Sequence, residues 1–365
     1  MYQNVAIIGA TGNVGRTLVS QMIEHMDTSP KRHKNPTKII LLRSSTNEIY
    51  DPNGIVNKTA IEFASKTMPG KIYDKSVSAL HVIKTKQLKD EKVVFVDVTA
   101  SKEEMLQFHI KVIRDSSHGI VTANKNPLTL SNFDTFQLLT SQFDRYGFRC
   151  SVMAGAEAVS LLRDMHDVDD LPKTIIGSFS GTLGYIMSAL DTGESFSDAV
   201  IEAKKRGYTE PHPANDLNGT DVAKKALILS RTAGFNIKPS NIIITPCIPI
   251  EYLAEPNIEK FLNNLNRMDA MFEEKVNTAR KKQCVLRYIA EARLNIKEPT
   301  ITVGLRMLRK DAPLGSLKGT ANKIFVVTNT YPQGYCVEAP GAGVEITAQN
   351  IRRDLLYQLD GRESN

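Results

Sequence analysis

The chain has 365 residues, 41% hydrophobic and 24% charged, which excludes a disordered polymer and allows about two domains with cores that need no disulfide or metal staples. A net charge of +6 is too dilute for a nucleic-acid partner but suits an anionic small ligand, and no apolar run approaches the ~18 residues of a membrane span. The four cysteines (Cys150, Cys247, Cys284 and Cys336) form no Cys-x-x-Cys pair, which disfavours zinc and an oxidising compartment; with no leader ahead of the first strand, a cytoplasmic location is expected.

Residues 4–8 are a short apolar run ended by glycine, as in a buried parallel strand. Gly9-Ala10-Thr11-Gly12-Asn13-Val14-Gly15 follows, and then Val14, Leu18, Val19, Met22, Ile23 and Met26 recur at helical spacing. A strand, a glycine loop and a helix in that order suit a pyrophosphate. Glycines let backbone N–H groups come close, and the helix N-terminus carries partial positive charge. This loop predicts dinucleotide contacts at Gly9, Thr11, Gly12, Asn13, Val14 and Gly15, with a plain tight turn as the alternative.

The basic, proline-broken stretch 31–36 reads as a solvated connection. Residues 38–42 form a second strand that ends at Arg43-Ser44-Ser45, where NAD sites commonly place an acidic residue. Arginine suits a 2′-phosphate instead, so Arg43 and Ser44 predict NADP(H), with NAD(H) possible. Residues 93–97 and 119–122 are further strands, with Thr99 a cofactor candidate just past the first, and helix follows around 133–143. Strands alternating with helices predict an α/β fold with a doubly wound parallel sheet.

Composition shifts after residue 150. Residues 149–157 read as loop, 158–166 as helix, and 175–186 as a strand feeding a helix through a small-residue turn. A short helix over 197–206 stops at Gly207. Prolines on both sides of His212 forbid helix there, and His212 reads as an exposed loop residue. Helical periodicity returns over 220–233 and stacks Asp221 and Lys225 at i and i+4. A solvated surface pair worth ~0.3–0.5 kcal/mol is the bland alternative. However, Glu210, Asp216, Asp221 and Lys225 fall within sixteen residues on a rigid loop entering a helix. Such a set suits a substrate with amino and carboxylate groups, and a lysine beside carboxylates can exchange a proton. Cys150 reads as a small buried residue with no base beside it.

Residues 203–225, AKKRGYTEPHPANDLNGTDVAKK, closely resemble the signature of homoserine dehydrogenases. Phe179-Ser180-Gly181-Thr182-Leu183-Gly184-Tyr185 is similar to that family's substrate-side turn, and Thr122-Ala123-Asn124-Lys125 to its T-x-N-K strand end. Ser316-Leu317-Lys318-Gly319-Thr320 and Pro340-Gly341-Ala342-Gly343 through Thr347-Ala348 resemble its C-terminal segments, all in the family's order.

The resemblance implies a Rossmann domain (1–150 and 341–365) and an α+β substrate and dimerisation domain with a mixed sheet (151–340). It implies NAD(P)H-linked interconversion of L-aspartate 4-semialdehyde and L-homoserine, on the route to threonine, methionine and isoleucine, by a homodimer in the short monofunctional form; Arg43 narrows the expected cofactor to NADP(H). By the same resemblance Lys225 is the proton donor, Asp221 its positioning partner and Lys125 a second lysine at the cofactor–substrate junction. Glu210, Asp216 and Thr182, with Gly181 and Tyr208 beside them, bind the amino acid, and Gly343 returns the chain to the cofactor. The β-rich runs 284–290, 300–303 and 323–327 fit the second domain, and 347–357 a closing helix.

Two departures from the family stand out. The loop is G-x-x-G-x-x-G rather than G-x-G-x-x-G. Arg149 stands where a glutamate commonly opens the family's cation-binding loop, so no family-type sodium site and no metal is expected. That change motivates a second reading, a related dehydrogenase of another amino or hydroxy acid; a third is a non-catalytic NADPH-binding sensor that has kept the fold. Lys125, Asp221 and Lys225 argue against the sensor.

Overall fold

The computed structural model describes residues 2–33, 36–74, 78–85 and 92–360; Lys34 and Asn35 of the basic stretch, and residues 361–365, lie outside the described residues. The chain forms two compact units, Met1–Gly155 with Ala342–Asn365, and Ala156–Gly341.

The first unit is built from β1 (Gln3–Ile8), α1 (Asn13–Glu24), β2 (Thr37–Arg43), β3 (Asn47–Tyr50), α2 (Asn57–Ala64), β4 (Lys71–Ile72), α3 (Ala79–Thr85), β5 (Val93–Asp97), α4 (Glu103–Asp115), β6 (Gly119–Thr122), α5 (Asn126–Leu130), α6 (Phe133–Thr140) and β7 (Tyr146–Gly147). Its sheet runs β4-β3-β2-β1-β5-β6-β7. Strands β2, β1, β5, β6 and β7 are parallel. Every residue of β1 and β5 is buried, which is why residues 5–8 and 93–96 are unbroken apolar runs rather than alternating ones. Ile8 stands in register with Arg43 and Asp97, and Asp97 with Thr122, so the carboxyl ends of β1, β2, β5 and β6 line up. In open α/β sheets that edge is where ligands bind.

The parallel sheet foreseen from the alternation carries one addition: β3 and β4 extend it as antiparallel edge strands. A hairpin makes the reversal. Ser44 Oγ donates to the Asn47 carbonyl at 3.0 Å and accepts from Asn47 N–H at 2.8 Å.

The second unit contains α7 (Ala158–Asp167), β8 (Thr174–Ser178), α8 (Gly181–Thr192), α9 (Phe196–Lys205), α10 (Ala214–Leu217), α11 (Thr220–Thr232), β9 (Ile242–Ile244), α12 (Ile250–Leu253), α13 (Ile258–Asn264), α14 (Asp269–Lys281), β10 (Cys284–Arg293), β11 (Thr300–Arg309), β12 (Ala321–Val327) and β13 (Tyr335–Pro340). Its sheet is mixed, in the order β13-β12-β8-β10-β11-β9: all neighbours are antiparallel except β9, which runs parallel to β11. Ser180 caps α8 by accepting from Leu183 N–H, and Ser195 caps α9 by accepting from Asp198 N–H. Gly207, with φ +71°, then turns the chain out of α9.

The last helix, α15 (Val344–Asp360), belongs to the first unit. Ala348, Ile351 and Leu355 enter that unit's core, and Arg352 Nη2 and Nε reach the two carboxylate oxygens of buried Asp27 at 2.8 and 2.5 Å. Residues 151–155 also pack there, because Asn350 Nδ2 donates to the Ala154 carbonyl and Ser151 Oγ to that of Phe148. Among the described residues no helix is long and apolar enough to cross a membrane.

Candidate active site

The first unit presents a phosphate cradle. Gly9 has φ +91°, and a Cβ there would lie 3.0 Å from the Val98 carbonyl oxygen. A Cβ on Gly15 would collide with the Gly9 carbonyl and come within 2.8 Å of Ala10 Cα. Only glycine lets the first turn of α1 close over the loop at this spacing, so the longer G-x-x-G-x-x-G motif still makes a tight turn. Gly12 is the N-cap of α1, and the first turn, which includes Asn13 and Val14, holds no acidic side chain. Thr11 lies on the loop between. This helix end therefore keeps its positive dipole, and the residues fit a pyrophosphate.

Arg43 is joined to that cradle through its backbone: its carbonyl accepts from Gly9 N–H at 2.9 Å and Ala10 N–H at 3.0 Å. Its buried guanidinium pairs with Glu48 through Nε at 2.8 Å and Nη2 at 2.5 Å, and its Cζ sits 4.1 Å from the Tyr73 ring centroid. The Ser44 hydroxyl is engaged in the hairpin turn.

Beyond β5, Asp97 organises the next stretch. Its Oδ1 accepts from Thr99 N–H and Oγ1, at 2.9 and 2.7 Å, and its Oδ2 accepts from Asn124 Nδ2 at 3.0 Å. Asn124 also donates to the Ser101 carbonyl and accepts from Asn126 N–H, which braces the turn carrying Lys125. Gly343, with φ +139°, stands exposed at the start of α15.

The second unit holds three acids and a lysine close together in sequence, and one of the acids pairs with the lysine. Thr182 Oγ1, in the first turn of α8, lies 2.6 Å from the Tyr208 carbonyl and 2.9 Å from Asp216 Oδ1. Asp216 Oδ2 accepts from Glu210 N–H at 2.8 Å. The proline loop is thus folded onto α8 beside Gly181, where a Cβ would lie 3.2 Å from the Thr320 carbonyl. Tyr208 leaves its ring half exposed, edge-on to Tyr185. Glu210 is exposed.

Burial pushes the Asp216 carboxyl up to about 6, and the nearby charges of Glu210 and Asp221 add to the rise against the bonds from Glu210 N–H and Thr182. Lys225 is buried, at 8% exposure, and its Nζ donates to the Phe179 carbonyl at 2.6 Å and pairs with Asp221 Oδ2 at 2.9 Å. This is not the solvated surface pair that helical spacing alone allows.

Other candidates resolve into structural parts. Ala214 N–H donates to His212 Nδ1, so Nε2 holds the proton and donates to the Glu255 carbonyl, and the ring packs on Phe261. His212 is half-buried rather than exposed because both nitrogens tie the loop down. Cys150 is buried, donates weakly to the Thr347 carbonyl, and its thiol is pushed well up by burial. Arg149 Nε lies 3.1 Å from Asp354 Oδ1, with the guanidinium near the rings of Phe143 and Tyr357. Glu48, Tyr73, Asp97 and the Phe179 carbonyl escape sequence reasoning, because each acts through a pairing across strands or a distant loop.

A family model described as homoserine dehydrogenase matches residues 158–356, over half of the chain. The homoserine dehydrogenase of Saccharomyces cerevisiae is 29% identical over 365 residues, 97% of both chains. The bifunctional aspartokinase/homoserine dehydrogenase 2, chloroplastic, of Zea mays is 33% identical over 72% of this chain, which matches 29% of that protein. Among solved structures, a Candida auris protein of unknown function superposes with a TM-score of 0.85 at 26% identity, covering 98% of each chain. A hyperthermophilic archaeal homoserine dehydrogenase in complex with NADPH gives a TM-score of 0.72 at 20% identity, over 99% of this chain and 98% of that one, and shares the fold.

Proposed function

The chain belongs to the homoserine dehydrogenase family of NAD(P)-dependent oxidoreductases acting on a CH–OH group, and from that premise we propose that it interconverts L-aspartate 4-semialdehyde and L-homoserine with NADP(H), on the route to threonine, methionine and isoleucine. The observation that carries this reading is buried Lys225, held between Asp221 and the Phe179 carbonyl, in the same short segment as Asp216, which Thr182 bonds from α8.

In the first unit the glycine loop and the N-terminus of α1 hold the pyrophosphate, through Gly9, Thr11, Gly12, Asn13, Val14 and Gly15. Arg43 takes the 2′-phosphate, with Ser44 holding the turn beside it, and Thr99, Gly343 and Lys125 complete that unit's contribution. When bound, a nicotinamide cofactor would supply the hydride chemistry, to the aldehyde carbon in one direction and from the alcohol in the other. In the second unit Asp216 and Glu210 receive the substrate's amino group, with Thr182, Gly181 and Tyr208 shaping the space. As charge grows on the carbonyl oxygen, Lys225 stabilises it and delivers the proton, while Asp221 holds the ammonium in place.

The working form is a cytoplasmic homodimer without nucleic-acid or membrane partners. A cleft of about 820 Å³ by α14 and β11, whose rim includes half-exposed Met307 and exposed Ile250, supports an apolar face that a second copy covers.

Following NADP⁺ reduction with L-homoserine, and NADPH oxidation with aspartate semialdehyde, tests the proposal. Turnover of both is expected. Turnover of a different hydroxy acid alone overturns the substrate, and tight NADPH binding with neither reaction turns the protein into a sensor.

A further inference from the structure

We infer that Glu48 sets the choice between cofactors with and without a 2′-phosphate, by holding the charge of Arg43; this deepens the cofactor reading above and rests on it. Arg43 and Glu48 are direct cross-strand partners on β2 and β3. The hydroxyl of Ser44 locks the turn between them, so the register cannot slip. Two guanidinium nitrogens, Nε and Nη2, converge on a single oxygen, Glu48 Oε2. Water reaches little of the pair: the side chains are 7% and 15% exposed. Tyr73 lies against the guanidinium, and its hydroxyl, bonded to the Ser44 carbonyl at 3.2 Å, fixes the ring. The Arg43 carbonyl is bonded to the glycine loop, so this locked pair stands at the end of β2, the place where dinucleotide sites read the ribose.

The consequence is electrostatic. A 2′-phosphate arriving here meets an arginine already paired with a carboxylate. Its attraction to Arg43 is opposed by like-charge repulsion from Glu48. A 2′-hydroxyl has no such penalty. It finds in Glu48 the acidic acceptor that NAD sites carry at the strand end, supplied here from the neighbouring strand. Lys71 stands in register with Glu48 on β4 but is exposed, so solvent screens it. The native site therefore carries a recogniser for each cofactor and discriminates weakly.

Calorimetric dissociation constants of NADP⁺ and NAD⁺, which differ only in the 2′-phosphate, test this on the native protein and on Glu48→Gln. Glu48→Gln is expected to tighten NADP⁺ about tenfold, the worth of one charge-assisted hydrogen bond, and to leave NAD⁺ unchanged or weaker. Retained NAD⁺ binding reports an intact site. If Glu48→Gln fails to fold, Glu48→Asp keeps the charge but draws it back from Arg43, and a smaller shift in the same direction is expected. A ratio of the two constants that stays within twofold of native in the folded variant overturns the assignment of Glu48. Failure of the native protein to bind either cofactor overturns the cofactor reading itself.

Discussion

Lys225 Nζ sits 2.9 Å from Asp221 Oδ2, one helical turn earlier, and 2.6 Å from the Phe179 carbonyl oxygen, 46 residues away. The helix alone provides the first contact. The second requires β8 to end where it does, so that the carbonyl just past the strand meets the lysine on α11. Two fixed acceptors leave the ammonium little freedom to swing. That is the arrangement a proton donor to a developing alkoxide needs, since misplacement costs rate steeply.

Asp216 is the group whose titration the reaction should feel. Its carboxyl is pushed up to about 6 by burial, from 3.8. An acid raised in the fold favours its protonated form there, so its contribution to stability is present below pH 3.8 and lost as pH rises through about 6. Substrate binding runs the other way, because the carboxylate attracts the amino group. We expect kcat/KM for L-homoserine to fall as pH drops through about 6, and Asp216→Asn to remove that limb while raising KM. A limb that persists in the variant assigns the ionisation elsewhere.

Gly219 sets the start of α11. It has φ +77°, and a Cβ there would collide with the hydroxyl of buried Tyr288, which is held by the Thr245 carbonyl. Gly219→Ala should destabilise the protein by about 1–3 kcal/mol, from left-handed backbone strain and overpacking together. It should also lower kcat, since Asp221 and Lys225 ride on the displaced helix. A thermal melt and a turnover assay on one preparation check both, and an unchanged melting temperature counts against the strain.

Arg149 answers to Asp354 on α15. Their side chains are 9% and 1% exposed, so removing the arginine takes the guanidinium's charge away from a carboxylate that water hardly reaches and leaves it the bond from the backbone N–H of residue 149. Arg149→Met should lower unfolding free energy by about 3–5 kcal/mol. Urea titration measures this directly, and a loss below about 1 kcal/mol would place the pair among weak surface bridges.

The parts legible in the sequence are those with local causes. β1, the glycine loop and α1 declare themselves through an unbroken apolar run, three glycines and a 3.6-residue stripe. Asp221 and Lys225 follow from i, i+4 spacing, and Gly207 as a helix stop follows from its place after Lys205 and Arg206. What stays hidden depends on partners far along the chain or on edges with no pattern. β3, Asn-Glu-Ile-Tyr, is half-buried at every position and shows no alternation to mark it as a strand, so the opposition of Glu48 to Arg43 is invisible until the hairpin is seen. Likewise nothing near His212 foretells that Ala214 and Glu255 engage both its nitrogens. The lysine's burial is equally unreadable, because the Phe179 carbonyl is a backbone atom that any residue would provide.

Whether Lys225 delivers the proton in homoserine dehydrogenase turnover is tested by kcat of Lys225→Ala, measured alongside its NADPH dissociation constant. A fall in kcat of about 10²–10⁴-fold is expected, with NADPH binding close to native. Turnover within a few-fold of native, with NADPH still bound, would contradict it.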